Sequence, residues 1–255
     1  MATRTRRPER REEPLSRQRI VEAAIGLLDT SGEGALTFRA LAERLATGPG
    51  AIYWHVTGKD ELLNAATDAV IATTMTTGTT MTTGTTMTTG TTTTVGTTGT
   101  TGTDDATPQE AIRTLALGVF DAIDAHPWIG TQLSRAPSQS PVLRVFEHLG
   151  RHVQTLGVPH PAQFTAASTL LNYILGVGGQ NAANARVLQP GTSRTEFLST
   201  TATAWAGLDP DEYPFTRNVA DQLRDHDDRT EFLAGLDLIL TGITTHQNPT
   251  DPTPP

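Results

Sequence analysis

Leu36-Thr-Phe-Arg-Ala-Leu-Ala-Glu-Arg-Leu-Ala-Thr-Gly-Pro-Gly-Ala-Ile-Tyr-Trp-His-Val-Thr-Gly-Lys-Asp-Glu-Leu-Leu63 holds two short apolar periodicities with a break between them. Thr37 is a good N-cap, and Phe38, Leu41, Ala42 and Leu45 follow at the spacing of one helical face. Ala46 to Gly48 interrupts that face, and Pro49 suits the first turn of a second short helix running to His55. Thr57 with Asp60 reads as a capping box with a shorter acid, opening a helix that carries Leu62, Leu63, Ala66, Ala69 and Val70. Upstream, Ile20, Val21, Ala24, Leu27 and Leu28 trace another helical face, which Gly32 and Gly34 stop. Two short helices joined by a three- or four-residue turn describe a helix–turn–helix. Phe38, Leu41, Leu45, Ile52 and Val56 are its expected core.

Downstream the pattern stays helical. Pro108 opens a helix with Ile112, Leu115, Val119, Phe120 and Ile123 on one side, closed by Pro127. Further helical patterns cover 142–156, 163 to about 177 and 194 to about 206. Phe232, Leu233, Leu236, Ile239, Leu240 and Ile243 then form one broad apolar stripe. No segment alternates with period two. The fold class is therefore all-α, an N-terminal three-helix helix–turn–helix domain followed by a C-terminal helical domain.

Composition sets outer limits. The 255 residues are 36% hydrophobic and contain no cysteine, which excludes disulfides, thiol nucleophiles and cysteine-ligated metal sites. No apolar run approaches the length of a membrane span, and no apolar stretch follows the basic N-terminus as in a secretory signal. A cytoplasmic protein with no membrane partner is the expectation. A Gly-rich phosphate loop, a nucleophile elbow and a spaced His–carboxylate motif are all missing, so an enzyme is not expected, nor is a cofactor.

The net charge of −8 argues against a polyanionic partner until it is divided. Residues 1–70 hold ten basic and ten acidic groups, whereas 71–255 hold nine and seventeen. Seven arginines fall within the first twenty residues against three glutamates. A basic arm thus precedes a neutral head and an acidic body, an asymmetry that suits contact with nucleic acid at one end only. Of the 31 residues from 73 to 103, 21 are Thr and six are Gly, with TTMTTG as the recurring unit. So little apolar surface cannot repay the entropy of ordering, and a flexible linker is expected. The expected organisation is a disordered basic arm at 1–15, the helix–turn–helix domain at 16–72, a linker at 73–107, a second domain at 108–246 and a Pro-rich tail at 247–255.

The quoted stretch, with its Tyr53-Trp54-His55-Val56 block, resembles the DNA-binding domain of the TetR family of bacterial repressors, and of its tetracycline-repressor-like subfamily in particular. The likeness covers about 16–70. The 232–243 stripe is similar to the closing helix of the subfamily's ligand-binding domain. The resemblance implies a homodimer that binds a palindromic operator in double-stranded DNA and leaves it when a small-molecule inducer enters the C-terminal domain. A regulator without such a switch, or an activator, is the alternative.

Site residues follow from chemistry and likeness together. Arg39 matches the family's guanine-reading position, and Arg pairs bidentately with guanine O6 and N7. Tyr53, His55 and Lys59 match backbone-contacting positions, and Thr37 belongs to the same surface. Gly48, Pro49 and Ala51, with Gly50, fill the reading surface and supply no side-chain hydrogen bonds, so direct readout should be sparse there. Trp54 shares that block but is expected to pack rather than to touch a base. For the inducer pocket the candidates are His126, Trp128, His148, His152, Asn172, Tyr173, Gln180 and Trp205, polar or aromatic groups on otherwise apolar helices. His148 and His152 have metal-ligand spacing but no clear third ligand, so no metal is assigned. Phe232, Leu236, Ile239, Leu240 and Ile243 are the dimer-interface candidates.

Overall fold

The computed structural model describes residues 14–80, 107–134, 140–187 and 193–245. The Arg-rich arm up to residue 13, most of the Thr-rich segment and the Pro-rich tail lie outside them. All regular structure among the described residues is helical. Two compact units divide between Ala66 and Thr67.

In the first unit, α1 (Arg17–Ala35) is capped by Ser16, whose side chain accepts from the Arg19 N–H. It buries Ile20, Val21, Ala24 and Leu28. Gly32 adopts φ 72°, ψ 178°, a conformation glycine reaches without a Cβ penalty, and it kinks the helix. Helix α2 (Phe38–Arg44) begins at Thr37, whose Oγ1 accepts from Ala40 N at 3.1 Å. After the turn comes α3 (Pro49–Tyr53), with Pro in its first turn as expected. Leu41 and Ile52 are fully buried and Val56 nearly so, whereas Phe38 and Leu45 are half-buried.

Helix α4 spans Lys59–Thr80 and crosses from one unit into the other. Its start differs from the expected capping box: Glu61, not Asp60, accepts from the Thr57 N–H and from Thr57 Oγ1. The longer glutamate reaches back where the aspartate cannot. Its end differs too, because α4 continues past Ala72 into the Thr-rich segment. Thr73 and Thr74 donate their hydroxyls to Val70 O and Ile71 O, at 2.6 and 2.8 Å. These bonds keep Thr inside a helix, and Thr74 also packs on α5: a Cβ added to Gly118 would lie 3.1 Å from Thr74 Cβ.

The second unit continues with α5 (Pro108–Ala125), α6 (Trp128–Leu133), α7 (Ser140–Thr155) and α8 (His160–Val187). Helix α5 starts with a full capping box between Thr107 and Glu110. Then follow α9 (Arg194–Ala206), the short α10 (Pro214–Asn218), a 3-10 turn (Ala220–Asp225) and α11 (Asp228–Thr245). Helix α8 packs against α5, α6, α7 and α11, and its length exceeds the expected 163–177 at both ends. An aromatic stack joins three helices: Phe120 of α5 lies 4.6 Å from Phe232 of α11, which lies 5.5 Å from Tyr173 of α8. The interplanar angles are 23° and 15°. Tyr173 Oη donates to Phe232 O at 2.9 Å, tying the stack to the α11 backbone.

Candidate nucleic-acid interface

The turn between α2 and α3 is tight. Ala46 carries a positive φ of 51°, the one such non-glycine among the described residues. Gly48, Pro49 and Gly50 are exposed beyond it, and no atom lies within 4 Å of a Cβ built on Gly48 or Gly50. This leaves a smooth ridge at the start of α3, with Ala51 half-buried behind it.

Polar and aromatic groups surround that ridge. Tyr53 is 57% exposed and stacks on Phe38 at 4.5 Å, so the first turn of α2 supports the last residue of α3. Arg39, the next residue on α2, is exposed and has no bonded partner among the described residues. His55 is half-buried. Trp54 corrects an expectation: it is 89% exposed and so does not pack under the block. As the residue that ends α3, directly after the buried Ile52 and the stacked Tyr53, it sits where the helix turns its back to the core.

Lys59 is placed by α1. Its Nζ donates to Glu33 O at 2.8 Å, which leaves two ammonium donors for a phosphate. Glu61, in the next turn, bridges Thr57 and Arg17, the latter at 3.0 Å. The Thr57 backbone N–H, then Arg17, hold its carboxyl below the ordinary value of 4.5.

The C-terminal candidates are spread over α5 to α9. His126, the C-cap of α5, faces the buried Trp128 edge-on at 6.2 Å. His148 and His152 lie one turn apart on α7, and burial, then the neighbouring His148, hold the His152 imidazole below its ordinary pKa. No group of three potential metal ligands occurs among the described residues. Trp205 is half-buried near the end of α9, and Asn172 is exposed on α8. Tyr173 and Gln180 share a groove, between α8 and α11, with Asn181 and Asn184. His226, Asp228 and Glu231 complete it and were not among the expected residues. The acidic run before α11 is the signal that could have located them.

The dimer candidates need a similar correction. Phe232, Leu236 and Leu240 are 1%, 0% and 2% exposed, filling the core of their own unit. Ile239 and Ile243 flank them half-buried. The side of α11 that faces outward instead carries Ala234, Leu238, Thr241 and Gly242.

Small folded head, exposed arginine and aromatics beside a short second helix: the arrangement defines a helix–turn–helix regulator. Residues 20–66 match the model for bacterial regulatory proteins of the tetR family, and 101–247 match the tetracyclin repressor-like C-terminal domain. The chain belongs to the TetR family. It is 54% identical to the transcriptional regulator SCO7222, a TetR from Streptomyces coelicolor, over 92% of this chain and all of that one, with a TM-score of 0.76. An HTH-type transcriptional regulator of Saccharopolyspora erythraea is 48% identical over 67 residues, 25% of this chain and 28% of that protein. The class A tetracycline repressor from transposon 1721 in Escherichia coli is 42% identical over 57 residues, 22% of this chain and 26% of that protein. With these two curated relatives the likeness thus spans little more than a quarter of their length. The family is one of transcriptional regulators, not of enzymes. Among the described residues no helix is long and apolar enough to cross a membrane.

Proposed function

We propose that the chain is a homodimeric transcriptional repressor that binds a palindromic operator and is released from it by a small-molecule inducer in the cytoplasm. The observation that carries this reading is Trp54, an indole left 89% exposed next to Tyr53 and Arg39. An exposed indole flanked by an exposed phenol and guanidinium offers stacking, hydrogen-bond and charge contacts together, a combination that suits DNA. Arg39 would read a guanine through O6 and N7. Tyr53, His55 and the spare donors of Lys59 would hold phosphates, with Trp54 against the sugar edge. Thr37, whose oxygen is spent on its cap, would donate its hydroxyl. Gly48, Pro49 and Ala51 would let the α3 ridge approach base edges closely, meeting thymine methyls at most. The Arg-rich arm would add phosphate and minor-groove contacts.

Dimerisation is supported by two neighbouring outward faces. Helix α11 offers Ala234, Leu238, Thr241 and Gly242, and α8 offers Thr165, Thr169, Asn172 and Gly176. Leu238 is 76% exposed amid small residues that allow close approach, which suits a four-helix bundle between two copies.

The test is selection of DNA fragments by the purified chain, followed by anisotropy titration of the winning sequence and its single-base variants. An inverted repeat is expected. Arg39→Ala should cost about 1–3 kcal/mol and flatten discrimination at one base pair per half-site. Selected fragments without inverted symmetry, or an Arg39→Ala loss that is uniform over all sequences, would overturn the reading.

A further inference from the structure

The solvent-open groove between α8 and the start of α11 has a volume of about 480 Å3, within the size range of small-molecule sites. Val177, Phe232 and the ring of Tyr173 give it an apolar floor. The Tyr173 hydroxyl is spent on Phe232 O, so the phenol acts as a wall and not as a donor to a ligand. On the α8 side, Gln180 donates to Asn184 Oδ1 at 3.1 Å, which leaves the Gln180 and Asn181 side-chain carbonyls as acceptors.

Charge on the opposite side is unevenly satisfied. Asp228 Oδ1 meets Arg194 at 2.6 Å and His226 at 3.0 Å, so its charge is paired with the Arg194 guanidinium. Glu231, one turn further along α11, has no side-chain partner among the described residues. The groove therefore has one unbalanced negative charge, neutral acceptors facing it and a flat apolar floor between them. An anion would meet repulsion from Glu231, and a neutral apolar molecule would leave that carboxylate to be desolvated without compensation.

We propose that this groove binds a small organic cation with a flat apolar body, its N–H groups held by the Glu231 carboxylate and by the side-chain carbonyls of Gln180 and Asn181. The ring lies on Val177 and against Tyr173. This deepens the inducer reading by naming the ligand's chemistry, and it rests on that reading only for the release of DNA.

The probe is proflavine, a planar diamino cation, against acridine-9-carboxylate, an anion with the same tricycle. Binding to the full chain is followed by fluorescence anisotropy without DNA, so failure here leaves the operator reading standing, and the reverse holds as well. Proflavine should bind and the carboxylate should not. Glu231→Gln, isosteric and on the surface, should weaken proflavine about tenfold. Glu212→Gln, which removes an equal charge from an exposed loop, should leave it unchanged and so control for the protein's net attraction of cations. Val177→Trp, which fills the apolar floor with a neutral ring, should block binding sterically while circular dichroism reports the fold. Equal affinity for the two acridines, no binding of proflavine, or equal losses in both glutamine variants would overturn the proposal. So would a Glu231→Gln change in subunit association at constant proflavine affinity, which would assign Glu231 to the contact between copies.

Discussion

Gly235→Ala tests whether the aromatic stack is tied to α11 as described. A Cβ at Gly235 would stand 2.1 Å from Tyr173 Oη and 2.9 Å from its Cζ, so the tyrosine ring has to leave its place. Overpacking of this kind costs about 1–3 kcal/mol. Displacing the ring adds about 1 kcal/mol for the hydrogen bond to Phe232 O and about 0.5–1.5 kcal/mol for the stack. Alanine returns about 1 kcal/mol through its better helix propensity. The balance is a loss of about 1.5–4.5 kcal/mol, or about 3–18 °C in Tm for a unit of this size. Calorimetry on the full chain would measure it, with Gly150→Ala as the reference. Gly150 lies in α7 with nothing within 4 Å of its Cβ position, so propensity alone acts there and Tm should rise. Adding Tyr173→Phe to Gly235→Ala removes the oxygen nearest the clash and should restore part of the loss. If Gly235→Ala melts at or above the parent, the proposed close approach of α8 and α11 is wrong.

Three further outcomes are expected. Ala46→Gly should stabilise the helix–turn–helix by up to about 1 kcal/mol, since φ 51° suits glycine; a lower Tm would contradict this. Glu61 has a lowered pKa in the folded chain, so it contributes stability above its ordinary value of 4.5 and loses it as pH falls through the lower folded value. The helical signal should therefore weaken on acidification below that range, and Glu61→Gln should make that slope shallower; an unaltered slope would remove Glu61 from the account. Leu238→Lys should shift the sedimentation profile towards monomer and weaken operator binding while the far-ultraviolet spectrum stays the same, whereas an unchanged profile would move the dimer contact off α11.

The head was legible because its signals are local. Thr37, Pro49 and the spacing of Leu41 and Ile52 are enough to place α2 and α3. Where several residues could play one part, local reasoning chose less well. Asp60 and Glu61 both follow Thr57, and only the geometry of the turn favours the longer side chain. Trp54 looked like packing because tryptophan usually is, but its exposure depends on where α3 stops. The stripe on α11 showed which residues avoid water without showing whether they avoid it inside the protomer or against a copy. Phe232, Leu236 and Leu240 do so inside. The passage of α4 into the Thr-rich segment was hidden by composition, since Thr74 is held by contact with α5 and by its bond to Ile71 O, neither visible in a run of threonines. The groove on α8 was half visible in its amides, whereas the acids opposite come from a distant part of the chain.

The stack of Phe120, Phe232 and Tyr173 also has a bearing on synthesis. Phe120 belongs to the helix that opens the 107–245 region and Phe232 to the one that closes it, so the apolar side of α5 has no partner from α11 until translation is nearly over. Until then a nascent chain exposes an incomplete core, a state prone to misassembly at high local concentration. A ribosome stalled before Phe232 would thus release a chain that lacks both the closing wall of its core and the α11 face offered to a second copy, a truncated product expected to hold the operator only weakly.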